Sequence, residues 1–304
     1  MAALIDFRRR IRSVRNTQQI TRAMKFVAAA KLRRAQERVF AARPYAREML
    51  RVLRSAMARI ENPSHPLMAR RPEERILALV LTGDKGLCGA FNANVVRKAL
   101  EFLREPGQQR INVIAVGKKG RDALRKRKLN LVSEYTQIFT RLEFAQAKEI
   151  AAKVIELYTA GEVDAVYVIY NEFKSVLVQR LLVEKLLPID PELLQAGERI
   201  GPGMPLAGHH SGEESALWVD YIYEELPAQI FNRLLPRHVE TQVYRVLLES
   251  AAAEHAARMT AMDSATNNAA ELIDQLTLHM NKVRQASITK EIIEVVSGAA
   301  WAAS

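Results

Sequence analysis

Glycine and proline are missing from two long stretches of this 304-residue chain, residues 1–43 at one end and 237–297 at the other. In a helix interior a glycine costs about 1 kcal/mol and a proline about 3 kcal/mol relative to alanine. A stretch with neither can run as a single rod. At the α-helical rise the two stretches would reach about 65 Å and about 90 Å. Beyond Pro44 the chain is again free of both residues as far as Glu61. The expected helical segments are therefore 1–62 and 227–304.

Rods of this length need a partner, because isolated helices draw little stability from propensity alone. Each carries a seam at 3-4 spacing. The first reads Ile11, Val14, Gln18, Thr21, Lys25, Ala28, Leu32, Ala35, Val39 and Ala42, with Ile20, Met24 and Val27 as a second stripe beside it. The second reads Leu248, Ala252, His255, Met259, Met262, Thr266, Ala269, Ile273, Leu276, Met280, Val283 and Ser287. A heptad repeat sustained this long favours a coiled coil. Alanine and threonine on the seams permit close approach of two backbones. Two rods at opposite ends of one polypeptide, joined through a folded middle, pair most simply antiparallel.

The middle has another period. "RILALVLTG" (75–83), "INVIAVG" (111–117) and "VDAVYVIYN" (163–171) are short, β-branched and nearly all apolar, as strands buried on both faces are. Helical patterns separate them, from Asn92 to Arg104, Lys118 to Lys128 and Leu142 to Tyr158. This alternation predicts a Rossmann-like α/β domain with a parallel sheet over 75–190. "SVLVQRLLVEKLLPI" (175–189) reads as a further strand at its edge, and the Gly- and Pro-rich 191–226 as a loop or linker. The fold class is α/β plus long helices: an antiparallel coiled coil with the α/β domain inserted between its two halves.

Charge is concentrated. The chain carries a formal +11, while residues 1–60 alone carry +13. Such an arm suits nucleic acid, an anionic surface or an acidic protein partner. Aromatics for base stacking are nearly absent from it, with only Phe26 and Phe40 available. A basic coiled-coil scaffold or nucleic-acid-binding protein is the competing expectation. No stretch has the length and apolarity of a membrane span. The first twenty residues have no apolar core ahead of their arginines, and Asp6 argues against a transit peptide. The one cysteine, Cys88, has no internal partner for a disulfide, which fits a reducing compartment.

The strongest candidate for chemistry is "LTGDKGLCGAFNANVV" (81–96), where a strand turns into a helix. Gly83, Gly86 and Gly89 lie where doubly wound folds often seat phosphate. Their spacing is neither GxGxxG nor a P-loop, and Lys85 lacks the Gly-Lys-[Ser/Thr] context. A structural turn held by Asn92 or Asn94 is the preferred reading, with no cofactor. The histidines are scattered at spacings unsuited to shared metal ligation. No Ser–His–Asp order or carboxylate pair stands out, so no catalytic residue is assigned.

Three segments carry a family resemblance: "IRSVRNTQQITRAMKFVAAAKLRRAQ" (11–36), "TGDKGLCGAFNANV" (82–95) and "MDSATNNAAELIDQLTLHMNKVRQASITKEIIEVVSGAA" (262–300). Together they closely resemble the gamma subunit of F-type ATP synthase, in order and separation across the whole chain. The resemblance implies a rotor shaft, its coiled coil inside a ring of alpha and beta subunits. The α/β domain would then sit, with epsilon, on the ring of c subunits, and delta completes the assembly. It implies a non-catalytic subunit, since ATP is made on beta, attached to the cytoplasmic face of a bacterial plasma membrane through its partners. By the same resemblance Met24 and Lys25 face the moving acidic loop of beta, and Arg258 engages a catch loop. Gln285, Thr289 and Glu291 supply polar contacts near the bearing that would bury "VVSGAAWAAS" (295–304). Three features depart from the family pattern. Trp301 is bulkier than usual there, 204–226 is longer than expected, and Cys88 stands alone where thiol regulation needs two cysteines.

Overall fold

The computed structural model describes residues 2–61, 63–104, 110–176, 178–191 and 223–302. Most of the 191–226 segment, and the side chain of Trp301, lie outside the described residues. The chain divides into two compact units, one built from residues 1–29 and 258–304 and the other from 30–257. Helix α1 spans Ala2–Met57 and helix α5 spans Pro227–Ala302, and each contributes to both units.

The larger unit contains a five-stranded sheet in the order β3-β2-β1-β4-β5. Its strands are β1 (Arg75–Leu81), β2 (Arg110–Val116), β3 (Asn130–Tyr135), β4 (Ala165–Phe173) and β5 (Gln179–Leu187). Helices α2 (Phe91–Phe102), α3 (Lys118–Lys126) and α4 (Phe144–Thr159) connect the parallel strands. β1 pairs with β2 and β4, and β2 with β3, all parallel. β5 returns antiparallel to β4. The sheet is therefore mixed, which corrects the expectation of a parallel sheet across 75–190. The reason is the connection: a tight turn, with the amides of Lys174 and Ser175 both donating to Val178 O at 3.3 and 3.0 Å. A parallel crossover needs a dozen or more residues.

Alternation along β1 divides the core. Ile76, Ala78 and Val80 face α2 and α3 with Val95, Ala99, Val113, Ala115 and Leu124. Leu77, Leu79 and Leu81 face the opposite way, into a larger cluster. That cluster takes Ile150 and Val154 from α4, Met49 and Leu53 from α1, and Phe231, Leu235, Val239 and Val243 from α5. Each such leucine or valine, taken out of water, contributes about 1.5–3 kcal/mol. This burial carries the helices through their prolines. Pro44 lies inside α1 and Pro236 inside α5. Pro44 is exposed, while Ala46 and Met49 on the following turn are buried. At Pro236 the flanking Leu235 and Val239 are buried in the same cluster.

A charged clasp joins the starts of the two neighbouring inner strands β1 and β4. Asp164, just before β4, is buried and accepts from the Arg75 amide at 2.9 Å, from Nε at 3.1 Å and from Nη2 at 2.7 Å. These Arg75 hydrogen bonds hold the Asp164 carboxyl below the usual carboxylate range. The first residue of β1 is thereby fixed beside the start of β4.

Candidate partner-facing surface

In the smaller unit the two long helices run antiparallel. Thr21 Oγ1 and Thr266 Oγ1 are 2.8 Å apart, and Lys25 Nζ lies 2.5 Å from Asp263 Oδ1. The Phe7 and His279 rings meet at 5.0 Å between centroids. As α1 advances from Phe7 to Lys25, its partner on α5 falls back from His279 to Asp263 by a nearly equal interval, the signature of opposed rods in near-constant register. Both seams face inward. Ile11, Thr21 and Ala28 are buried on α1, with Met262 and Ala269 on α5. Ile273, Leu276, Met280 and Val283 are half-buried. Small residues and a hydroxyl pair at the centre let the backbones come close, as the composition of the seams predicts.

That register has a consequence for the far end of α5. With Phe7 opposite His279, Ala2 stands opposite residues near 284. The helix nevertheless continues to Ala302, about 27 Å further. Over this extension no described segment of the chain covers it: residues 288–297 are exposed without interruption. Ile288, Ile292, Ile293, Val295 and Val296 are 48–72% exposed, and helical spacing gathers them on one half of the rod's circumference. An apolar surface of this kind marks an interface with another molecule. Ile20, Phe26 and Val27 add exposed apolar area on α1.

The individual candidates fall into different settings. Met24 is half-buried beside the seam. Lys25 is half-buried too, but its ammonium is occupied by Asp263 of the same chain. Arg258 is half-buried on α5. Gln285, Thr289 and Glu291 lie together on the exposed extension. There Thr289 Oγ1 donates to Gln285 O at 3.0 Å, and Glu291 Oε1 accepts from Ser287 Oγ at 3.2 Å. Gln285 and Thr289 thus share one side of the exposed extension, while Glu291 lies on nearly the opposite side. Met24 and Lys25 lie further along the unit, near Asp263.

The glycine turn is occupied by its own chain. The Gly83 amide donates to Asn92 Oδ1 at 2.8 Å, and Asn92 Nδ2 donates to Lys85 O at 3.2 Å and reaches Cys88 Sγ at the same distance. Asn94 instead accepts from Arg97 Nη2 at 3.1 Å. Gly89 adopts a φ of 57°, the left-handed region that glycine tolerates best. Gly83 is required by space: a Cβ there would lie 2.7 Å from the carboxyl carbon of Glu254, a buried residue of α5. A Cβ at Gly86 would come no nearer than 3.9 Å, to Lys119 Cε, which is ordinary contact. The amide that would meet a phosphate at this turn is already bonded to Asn92. Cys88 is buried. Among the described residues no group of three or more histidine, cysteine or acidic side chains is placed to hold a metal ion.

Sequence reasoning missed the polar groups that tie α5 to the sheet. Arg245 Nη2 donates to both oxygens of Glu184 at 2.7 and 2.9 Å, and Nη1 to Tyr170 Oη at 3.2 Å. Burial, above all, raises the Tyr170 hydroxyl, which donates to Glu184 Oε2 at 2.8 Å. The available signal was polar residues inside runs otherwise apolar: Asn171 and Glu172 within β4, and Arg245 between Val243 and Val246.

Known proteins share both the sequence and the fold. Residues 3–301 match the family model described as ATP synthase. The ATP synthase gamma chain of Solibacter usitatus (strain Ellin6076) is 53% identical, over 99% of this chain and all of that protein. That of Pelotomaculum thermopropionicum is 46% identical, over 99% of each. Among solved structures, a chain of the central stalk and c-ring of the Tetrahymena thermophila mitochondrial ATP synthase aligns with a TM-score of 0.57 at 27% identity. It covers 81% of this chain and 99% of its own length. A chain of the Euglena gracilis mitochondrial enzyme, at 22% identity, has the same fold with a TM-score of 0.65, covering 98% of this chain and 94% of its own.

Proposed function

The chain belongs to the ATP synthase gamma-chain family, and on that premise we propose that it is the central rotor shaft, coupling proton flow through the c-ring to ATP synthesis on the beta subunits. In reverse, hydrolysis on beta drives proton pumping through the same shaft. The observation that carries this reading is the uncovered end of α5. Over residues 2–29 and 258–297 the pair carries neither glycine nor proline and so resists bending, and beyond the reach of α1 it leaves an apolar rod with no cover from the described parts of the chain. A ring of alpha and beta subunits provides a sleeve of the kind such a rod needs.

The chain contributes coupling and no catalytic group. Epsilon and the c-ring meet the α/β domain, delta completes the assembly, and the complex sits at the cytoplasmic face of a bacterial plasma membrane through its other subunits. Similarity to the Solibacter and Pelotomaculum gamma chains supports this placement. Met24 is the contact with the moving acidic loop of beta, and Lys25 serves it from the Asp263 ion pair that fixes its position. Arg258 meets the catch loop. Gln285, Thr289 and Glu291 give the bearing polar points among its isoleucines and valines, so that the rod seats without locking.

Reconstitution tests both ends. Ile292→Ser with Ile293→Ser removes two buried anchors worth about 1.5–3 kcal/mol each. The variant chain should assemble with alpha and beta at least tenfold less tightly than wild type. Met24→Lys should lower the protons pumped per ATP in membrane vesicles, since it places a charge at a packed contact. Wild-type assembly by the first variant would sink the bearing reading, and unchanged pumping per ATP by the second would remove Met24 from the coupling surface.

A further inference from the structure

A second feature of the larger unit belongs to no part of the rotor reading. Between α1, α5 and the end of β4 lies a cleft that encloses about 60 Å³ and opens to solvent on one side. Its walls are mainly apolar, from Val39 and Phe40 on α1, Phe173 on β4, and Tyr244 and Leu248 on α5. Two carboxylates, Glu172 and Glu249, and two guanidiniums, Arg43 and Arg245, interrupt them.

These carboxylates are in an unusual state. Glu172 is 4% exposed, and its Oε2 is buried without a hydrogen-bond partner among the described residues. Glu249 Oε2 is likewise buried and unpartnered there, while its Oε1 accepts from Arg245 Nη1 at 3.3 Å. The cations nearby are otherwise engaged. Arg245 spends its second nitrogen on both oxygens of Glu184, and Arg43 stacks over the Phe40 ring at 4.8 Å. Lys174 and Arg180 act on Glu172 from outside the lining. A buried carboxylate oxygen with no donor costs the desolvation of a charged group. Burial therefore raises both carboxyls, and in Glu172 the neighbouring Glu249 adds to it. Two carboxylate oxygens on the cleft wall thus lack a hydrogen-bond partner among the described residues, and the aromatic faces beside them favour a cation.

We propose that this cleft binds a small primary ammonium ion with a compact apolar body. The ammonium donates to the free oxygens of Glu172 and Glu249, and the hydrocarbon packs against Phe40, Phe173 and Tyr244. Three donors on one nitrogen suit two carboxylates and one water. At roughly 10–15 Å³ of such space per water, the cleft encloses about four to six heavy atoms, and the rest of a small ring extends through its open side. An anion of the same shape meets two carboxylate oxygens and finds Arg245 bonded to Glu184 and Glu249 and Arg43 stacked on Phe40, so it binds more weakly than the ammonium.

The test uses the assembled complex and equilibrium dialysis with cyclohexylammonium, against cyclohexanecarboxylate as the isosteric anion. The expected result is saturable binding at one site per copy of this chain, with weaker binding of the carboxylate. Glu172→Gln keeps the shape and removes the charge. It should weaken the ammonium about tenfold to a hundredfold, the worth of one charge-assisted hydrogen bond. Incorporation of the variant into the complex reports that it is folded. Tyr244→Ala, which strips the apolar wall but keeps both carboxylates, should weaken binding as well. Failure of the complex to bind the ammonium, equal binding of the two probes, or an unchanged affinity in Glu172→Gln would each overturn the proposal.

Discussion

His238 is expected to make the larger unit acid-labile. It sits near the start of α5 between Leu235, Val239 and the rest of the main core, 9% exposed, with Nδ1 unpartnered among the described residues. Burial, with a smaller contribution from the charge on Arg245, lowers its pKa from 6.5 to about 4. A base whose folded pKa is depressed binds its proton better in the unfolded chain. Its neutral form therefore supports folding above pH 6.5, and that support is lost as the pH falls toward 4. At pH 5 the unfolded imidazole is almost wholly protonated and the folded one only about a tenth. The difference comes to roughly 2 kcal/mol between pH 7.5 and pH 5, rising to about 3 kcal/mol below pH 4. Against a typical domain stability of about 5–15 kcal/mol this is large. Carboxylates also titrate across the range, so the comparison is with His238→Gln, which keeps a neutral polar side chain and removes the titration. Urea unfolding followed by circular dichroism should show wild type losing about 2 kcal/mol more than the variant over that interval. Amide exchange should place the loss within 231–248. Parallel pH curves for the two proteins would refute the idea that His238 is held neutral by burial.

The glycine turn and the helix pair give two further expectations. Gly83→Ala must displace the buried Glu254 carboxyl, which a Cβ would approach to 2.7 Å, and should cost about 1–3 kcal/mol of stability. Gly86→Ala, whose added Cβ would meet only Lys119 Cε at 3.9 Å, should stay within about 0.5 kcal/mol of wild type in the same melts, and equal costs at the two glycines would refute the close-approach argument. The Lys25–Asp263 pair is short but its side chains are 37% and 47% exposed, so solvent screens it. A double-mutant cycle through Lys25→Met and Asp263→Asn should give a coupling of about 0.5–1 kcal/mol that shrinks at about 1 M salt; a coupling of zero at low salt would show that the pair does not fix Lys25.

The helices and most of the sheet are legible in the sequence because their signals are periodic and redundant. Seven of the ten seam positions on α1 are apolar, so the polar middle formed by Gln18, Thr21 and Lys25 does not erase the pattern. β3 is not legible, for the opposite reason. It is a short edge strand, exposed at Asn130 and Glu134, and gives up the apolar run that reveals β1, β2 and β4. β5 is recognisable as a strand, but its direction depends on a tight turn whose hydrogen bonds a pattern of side chains does not encode. The turn at Gly83 illustrates the same limit at the level of one residue. Its spacing to Gly86 and Gly89 is visible, whereas the need for Gly83 comes from Glu254, far along the chain on α5.

Partner-facing residues are harder still, since an internal seam and an external bearing use the same amino acids. Met262 and Ile292 both lie on α5 and both are apolar, yet one is buried by α1 and the other stands 58% exposed. Only the register separates them: with Phe7 set against His279, the described part of α1 reaches to about residue 284, and residues 288–297 beyond it are covered by no described segment. Lys25 is assigned to a partner by resemblance alone, and Asp263 is invisible as its neighbour until the two helices are laid antiparallel. The contacts within one chain thus sort the candidates into residues already spoken for and residues still wanting an occupant. By that criterion the extension of α5 is the surface on which the rotor reading stands, and the cleft at Glu172 is the one that the reading leaves unused.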